Sequence, residues 1–282
     1  MTASHDFRVD RMAVRVFPDR ASLGVAAADE AATALVESIA GQGRVSVLFA
    51  AAPSQNEFLA ALQTHPEIDW TRVTAFQLDE YVGLPDGAPQ RFGAFLRSHV
   101  FDAVHPGDVQ LIGATASAVE AQDRCREYAA LLAKQPPDVV FLGIGENGHL
   151  AFNDPPVADF ADPERVKVVE LDVPCRQQQV NDGCFPEFDD VPTHAITLTI
   201  PTLMSGKRLV CVVPGKAKHA AVTATLRGPV TTACPASILR THPHCTLYLD
   251  ADSYGEGESA GPVGGNRRTD IGALRRRDDR LD

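Results

Sequence analysis

The chain has 282 residues, 37 of them Asp or Glu and 26 Lys or Arg, for a formal charge of −11. That length allows one large α/β domain or two small ones, and the acidic balance argues against nonspecific binding of nucleic acid or of an anionic membrane. No apolar run of about 18 residues is present to cross a bilayer, the charged opening MTASHDFRVDRMAVRVF lacks a secretory apolar region, and six cysteines without regular spacing read as reduced, mostly buried thiols of a cytoplasmic protein.

Residues 12–17 alternate enough for a short strand. Residues 22–39 are Ala-rich, with Leu23, Ala27, Ala31, Leu35 and Ile39 near helical spacing, which predicts a helix packed closely on a neighbour. Gly41 and Gly43 stop it. Apolar runs at 44–49, 73–78 and 139–142 read as strands buried on both faces, and strands are also predicted at 109–112, 195–200, 208–213 and 246–249. Helices are expected at 57–62, 92–101, 115–132 and 216–226. Short apolar strands alternating with helices predict an α/β protein with a largely parallel sheet covered on both faces. A single domain is expected over residues 1–250. Beyond it the composition changes: six of the 21 glycines, and Arg275, Arg276, Arg277 and Arg280 mixed with Asp, read 251–282 as a disordered, charge-balanced tail, with an interaction peptide as the alternative.

Ligands of open α/β sheets collect at the carboxyl ends of strands, near the point where strand order reverses. Three loops at such ends carry unusual chemistry: 50–56, 79–85 and 143–155. The last begins Gly143, Gly145, Gly148, formally a dinucleotide fingerprint after a strand. That pattern needs a helix opening in the loop to hold pyrophosphate, whereas Pro155 and Pro156 follow almost at once. The glycines instead let the backbone present Asn147, His149 and Asp154. A carboxylate five residues after an imidazole can hold its tautomer while the ring transfers a proton; the alternative is a loop histidine followed by an Asx-turn at Asp154. Adjacent Asp79 and Glu80 at a buried strand end are costly unless paired. Glu80 is expected in a salt bridge, while Asp79 reads equally as a turn cap or as a carboxyl of raised pKa suited to abstracting a carbon-bound proton.

Two stretches, FQLDEYVGLP at 76–85 and GIGENGHLAFNDP at 143–155, followed by PGKAK at 214–218, resemble the signature loops of the glucosamine-6-phosphate deaminase (isomerase) family, in its order and at about its spacing. The resemblance spans roughly residues 10–250. It implies a Rossmann-like three-layer α/β sandwich with a mostly parallel central sheet, acting without cofactor or metal on an amino-sugar phosphate. The implied reaction turns glucosamine 6-phosphate and water into fructose 6-phosphate and ammonia. His149 would assist ring opening, Asp79 would move a proton between C2 and C1, and Tyr81 and Gly145 would shape the pocket. Lys218, with Lys216 as a competitor, matches the family's phosphate-binding lysine.

The chain also departs from the family's pattern. Asn147 stands where Asp is common, and Asp154 where the longer Glu is. The Gly-Gly-Thr-Pro-like phosphate loop is replaced by AAPSQN at 51–56, leaving Ser54 and the following amides to hold an anion. Arg176 is the nearest candidate for a further phosphate-binding arginine, out of register. Arg165 and Lys167 sit where some relatives bind an allosteric sugar phosphate. His242 and His244 lack a third ligand and read as surface histidines. Two rival readings remain: a 6-phosphogluconolactonase-type lactone hydrolase, disfavoured by Tyr81 and by Ala151, Phe152 and Asn153, and a non-catalytic sugar-phosphate sensor. A small-molecule partner is expected and a nucleic acid or membrane is not; a homo-oligomer stays open.

Overall fold

In the computed structural model, which describes residues 3–255, the apolar runs pair as strands. In chain order the strands are β1 (His5–Val9), β2 (Met12–Phe17), β3 (Val45–Phe49), β4 (Val73–Gln77), β5 (Asp79–Tyr81), β6 (Asp108–Gln110), β7 (Val139–Leu142), β8 (Val166–Glu170), β9 (His194–Leu198), β10 (Arg208–Val213) and β11 (Cys245–Asp250). The helices are α1 (Arg20–Gln42), α2 (Asn56–Leu62), α3 (Phe92–Leu96), α4 (Asp102–Val104), α5 (Ala118–Lys134), α6 (Val173–Asn181), α7 (Ile200–Met204), α8 (His219–Arg227) and α9 (Ala251–Tyr254). A large sheet runs β1-β2-β11-β10-β7-β3-β4-β6, parallel throughout except for the β1–β2 hairpin. A small antiparallel sheet runs β5-β9-β8.

Alternation along the central strands divides the core in two. Val47 and Phe49 of β3, Val139 and Phe141 of β7, and Val210 and Val212 of β10 join α1 and α2 on one face. Leu48, Val140, Leu142, Cys211 and Val213 join α5 and α8 on the other. Helices on both faces explain why these strands are apolar runs rather than alternating ones. The helix α1 starts at Asp19, whose carboxylate accepts from the Ser22 N–H at 2.8 Å, and ends where Gly43 turns left-handed at φ 78°.

The chain runs β3, β4, β6 in one direction, then returns to β7 on the other side of β3 and continues to β10 and β11. Strand order therefore reverses between β3 and β7, and the loops leaving both strands open at that point.

The structure departs from expectation in several places. β1 is polar and lies at the sheet edge, so its sequence carries little apolar signal. β9 stops at Leu198 because Ile200 and Pro201 open α7. His242, expected at the surface, is buried, with Nε2 2.9 Å from the Gly206 carbonyl. The expected tail begins too early: Ala251–Tyr254 is a helix opened by a capping box between Asp250 and Ser253. The rest of that tail lies outside the described residues. The six cysteines are free, four of them buried, and no described helix is long and apolar enough to cross a membrane.

Candidate active site

At Leu78 the chain leaves the central sheet, and Asp79 is the first residue of the small one, paired opposite Thr197 of β9. Gln77 fixes this crossing. Its side-chain amide donates to the Asp79 carbonyl at 2.7 Å, and its Oε1 accepts from the Ile112 N–H at 2.9 Å. Asp79 is thereby held at the carboxyl edge of the central strands with its side chain buried. Burial, reinforced by the neighbouring Glu80 charge, pushes its carboxyl well above the ordinary carboxylate value. Glu80 itself accepts from the backbone N–H groups of Tyr81, Phe92 and Gly93 and lies 3.5 Å from Arg91 Nε. It anchors the start of α3, so the salt-bridge reading of Glu80 holds.

The Gly-rich loop after β7 folds back on itself. The Gly145 N–H donates to the His149 carbonyl at 3.0 Å, and Gly148 turns left-handed at φ 86°. A Cβ on Gly145 would lie 2.2 Å from the His149 ring, so only glycine lets the imidazole rest against the loop backbone. His149 Nδ1 approaches Asp154 Oδ1 to 2.8 Å, a charge contact off the axis of a good hydrogen bond. Asn147 serves both partners: its Oδ1 accepts from the His149 N–H at 3.0 Å and its Nδ2 donates to Asp154 Oδ1 at 2.9 Å. Burial would raise the Asp154 carboxyl, but the contacts with His149, Asn147 and Cys175 override it and hold the group below its ordinary value.

Asp79, Gly145 and His149 line one small cavity of about 70 Å³, together with Ala50, Gly143 and Gln179. A second cavity of about 270 Å³ adjoins it, sharing Ala51, Phe92 and Gln179. Asp154 and Asn147 stand behind His149. Lys218 is buried and directly precedes α8; burial lowers its ammonium, opposed by the charges of Asp182 and Glu146. Ser54 sits in the turn after β3, its hydroxyl accepting from Gln55 Nε2 at 3.2 Å beside Gly143. Glu146 acts on Lys218 electrostatically and its backbone N–H donates to Gln178.

Of the expected binding residues, Ser54, Tyr81, Arg176 and Lys218 all lie outside the linings of these two cavities. Tyr81 is buried among Phe92, Phe152 and Phe185, outside the cavity lining, and its hydroxyl donates to Gln179 Oε1 at 2.6 Å. It therefore acts on the pocket through Gln179. Arg176 points away: its guanidinium donates to the Phe188 and Val191 carbonyls and lies over the Phe188 ring. The opposite face of the same helix delivers Cys175, Gln178 and Gln179 to the site, a face the sequence does not reveal because α6 has no apolar periodicity. Lys167 is likewise committed, bonded to Asp162 and the Val157 carbonyl. Arg20, unremarked in the sequence, brings a guanidinium to the Pro53 carbonyl, paired with Glu57.

A larger cleft of about 360 Å³ opens at the opposite, amino-terminal edge of β3 and β4, lined by Arg44, Lys134, Asp138 and Lys207. Its one carboxylate, Asp138, is bridged to Lys207 at 2.7 Å, so it holds no free acid/base pair. Among the described residues, His149, Asp154 and Cys175 offer ligand atoms for a metal, all within 4.8 Å of one another.

The family model for glucosamine-6-phosphate isomerases/6-phosphogluconolactonase matches residues 18–248. The chain is 38% identical over 187 residues to a glucosamine-6-phosphate deaminase of Exiguobacterium sibiricum, spanning 66% of this chain and 71% of that protein. It is 37% identical over 187 residues to one of Bacillus thuringiensis, spanning 66% and 69%. Among solved structures, a monomeric glucosamine-6-phosphate deaminase superposes with a TM-score of 0.77 at 26% identity, over 86% of this chain and 98% of that one. A 6-phosphogluconolactonase from Trypanosoma brucei superposes with a TM-score of 0.70 at 17% identity, over 90% and 100%, a likeness of fold alone. The chain belongs to the glucosamine-6-phosphate isomerase/6-phosphogluconolactonase family.

Proposed function

We propose that this protein deaminates and isomerises an amino-sugar phosphate, converting glucosamine 6-phosphate and water into fructose 6-phosphate and ammonia. The observation that carries the reading is the convergence of Asp79 and His149, from two separate strand ends, on one cavity beside the reversal of strand order. The named deaminase relatives support it.

In this reading His149 passes a proton to the ring oxygen as the pyranose opens, steadied by Asp154. Ionised Asp79 takes the proton from C2 of the open aldose, giving an enolamine, and returns it to C1. The double bond then lies between C2 and nitrogen; water adds there, and ammonia leaves. These are proton transfers and one hydrolysis, so the sequence of steps calls for no redox group. The dry setting of Asp79 suits it to a carbon acid, because a poorly solvated carboxylate is a stronger base. Lys218 is the group we assign to the phosphate, together with the Ser54 turn. A phosphorylated substrate and free thiols agree with residence in the cytoplasm.

The test is coupled release of ammonia and fructose 6-phosphate from glucosamine 6-phosphate, run beside hydrolysis of 6-phosphogluconolactone. Ammonia from the hexosamine phosphate with no lactone turnover is expected. Absence of ammonia from every hexosamine phosphate tried would defeat the proposal.

A further inference from the structure

We propose that His149, Asp154 and Cys175 form a site for a thiophilic divalent cation of the zinc class, and that filling it switches the enzyme off. The three side chains are buried, and an imidazole nitrogen, a carboxylate oxygen and a sulfur lie within 4.8 Å of one another. This is the mixed nitrogen, oxygen and sulfur donor set that zinc takes. Two atoms of these side chains, His149 Nδ1 and Asp154 Oδ2, are buried and make no hydrogen bond of good geometry, Nδ1 having only the off-axis contact with Asp154 Oδ1 at 2.8 Å. Unsatisfied buried polar atoms are rare and costly, and a cation would satisfy both.

The supports around a metal site are also in place. Asn147 Nδ2 holds Asp154 Oδ1 at 2.9 Å, and Asp172 Oδ1 caps α6 by accepting from the Cys175 N–H at 2.8 Å. Such outer contacts fix ligand orientation. Among the other free thiols, Cys125, Cys211 and Cys245 lie within the core, Cys184 at its margin, and Cys234 half-buried against Gly148 and Thr225. Within the described residues, no other cysteine belongs to a group of three potential ligands.

Binding is a ligand exchange with no redox change. Cys175 loses its proton to water as the sulfur–metal bond forms, and His149 Nδ1 gives its lone pair to the cation. The ring nitrogen Nε2 is then fixed as N–H and can no longer exchange a proton with the sugar ring. Asp154 is drawn into coordination and no longer steadies the imidazolium. The loss of turnover rests on the deaminase reading; the binding does not.

The experiment therefore has two readouts. Purified full chain, freed of metal by chelation, is titrated with Co²⁺ and followed for the near-ultraviolet band of a thiolate–cobalt bond, with Zn²⁺ counted by equilibrium dialysis. Ammonia release is measured over the same zinc series, each protein against its own metal-free rate. The wild type is expected to take one zinc per chain, to show the cobalt band, and to lose activity that EDTA restores. Cys175→Ser is expected to lose the band and to need roughly tenfold more zinc, or beyond, for the same fractional inhibition. Cys184→Ser, the control for a more accessible thiol, should behave as wild type. Absence of the band in the wild type, or equal zinc binding by Cys175→Ser, overturns the proposal. Metal binding without ammonia release in the metal-free protein would count against the deaminase reading and leave the site standing.

Discussion

Asp79 and Asp154 are both buried carboxyls, yet their surroundings push them in opposite directions. Asp154 has His149 and the Asn147 amide against it and is held low. Asp79 has burial and the Glu80 charge and is pushed high. Opposite shifts of this kind separate acid/base roles within one site. They also explain the departure at position 147: Asn donates to Asp154, which a second carboxylate cannot do, so the Asn147 and Asp154 changes are read together. For Asp79 the folded-state value lies above the unfolded one. Its contribution to stability is thus complete below the unfolded value and is lost as the pH climbs through the raised folded value. In the proposed reaction activity runs the other way, since only the ionised form could accept the C2 proton. Asp79→Asn is therefore expected to lower kcat by about 10²- to 10⁴-fold and to raise the melting temperature at neutral pH. The gap to wild type should widen between acid and neutral pH. Thermal melts across that range check it; a mutant less stable than wild type at every pH would show that burial does not strain the carboxylate.

The element that decides the phosphate question is α6. Its sequence, VPCRQQQVN, has no apolar stripe, and docking alone sends Cys175, Gln178 and Gln179 inward and Arg176 outward. This is why the sequence offers Arg176 as a phosphate ligand and gives no sign of Gln179. The same limit hid β5, three residues reading Asp-Glu-Tyr, and the polar edge strand β1, because neither buries an apolar face that periodicity would reveal. What was legible rests on burial: β3, β4 and β7 are apolar on both sides, so their ends, and with them Asp79 and the His149 loop, could be placed without coordinates. Two substitutions separate the roles. Arg176→Ala removes bonds to the Phe188 and Val191 carbonyls and the contact with the Phe188 ring. It is expected to cost about 2 kcal/mol of stability and to leave KM for glucosamine 6-phosphate within about twofold. Lys218→Ala is expected to raise that KM by roughly tenfold or more, with little effect on unphosphorylated glucosamine. Denaturant melts and initial rates with both sugars distinguish them, and a large KM effect in Arg176→Ala would return that arginine to the site.

Over the whole molecule, a chain of formal charge −11 must bind a dianionic substrate, so its cations have to act locally. Within the described residues the proposed phosphate end is not a simple basic patch. Lys218 is buried, which weakens its hold on a proton, and the charges of Asp182 and Glu146 offset that loss only in part. Asp182 bears on Arg20 as well, which is itself paired with Glu57. The carboxylates that favour the charged lysine therefore also repel the phosphate it would receive. Asp182 lies just beyond α6, where its Oδ2 accepts from Gln178 Nε2 at 3.2 Å, a bond that a carboxamide oxygen can also accept. Asp182→Asn should leave this contact in place and remove only the charge. A relief of about 1 kcal/mol lowers KM for the phosphorylated sugar by on the order of fivefold, with kcat and the use of unphosphorylated glucosamine unchanged. Because the effect is electrostatic, it should shrink as salt rises from low to physiological ionic strength. Steady-state rates for both sugars at two salt concentrations measure it. An unchanged KM would mean that Asp182 is screened from the phosphate, and a raised KM for both sugars would mean that it shapes the pocket rather than its potential.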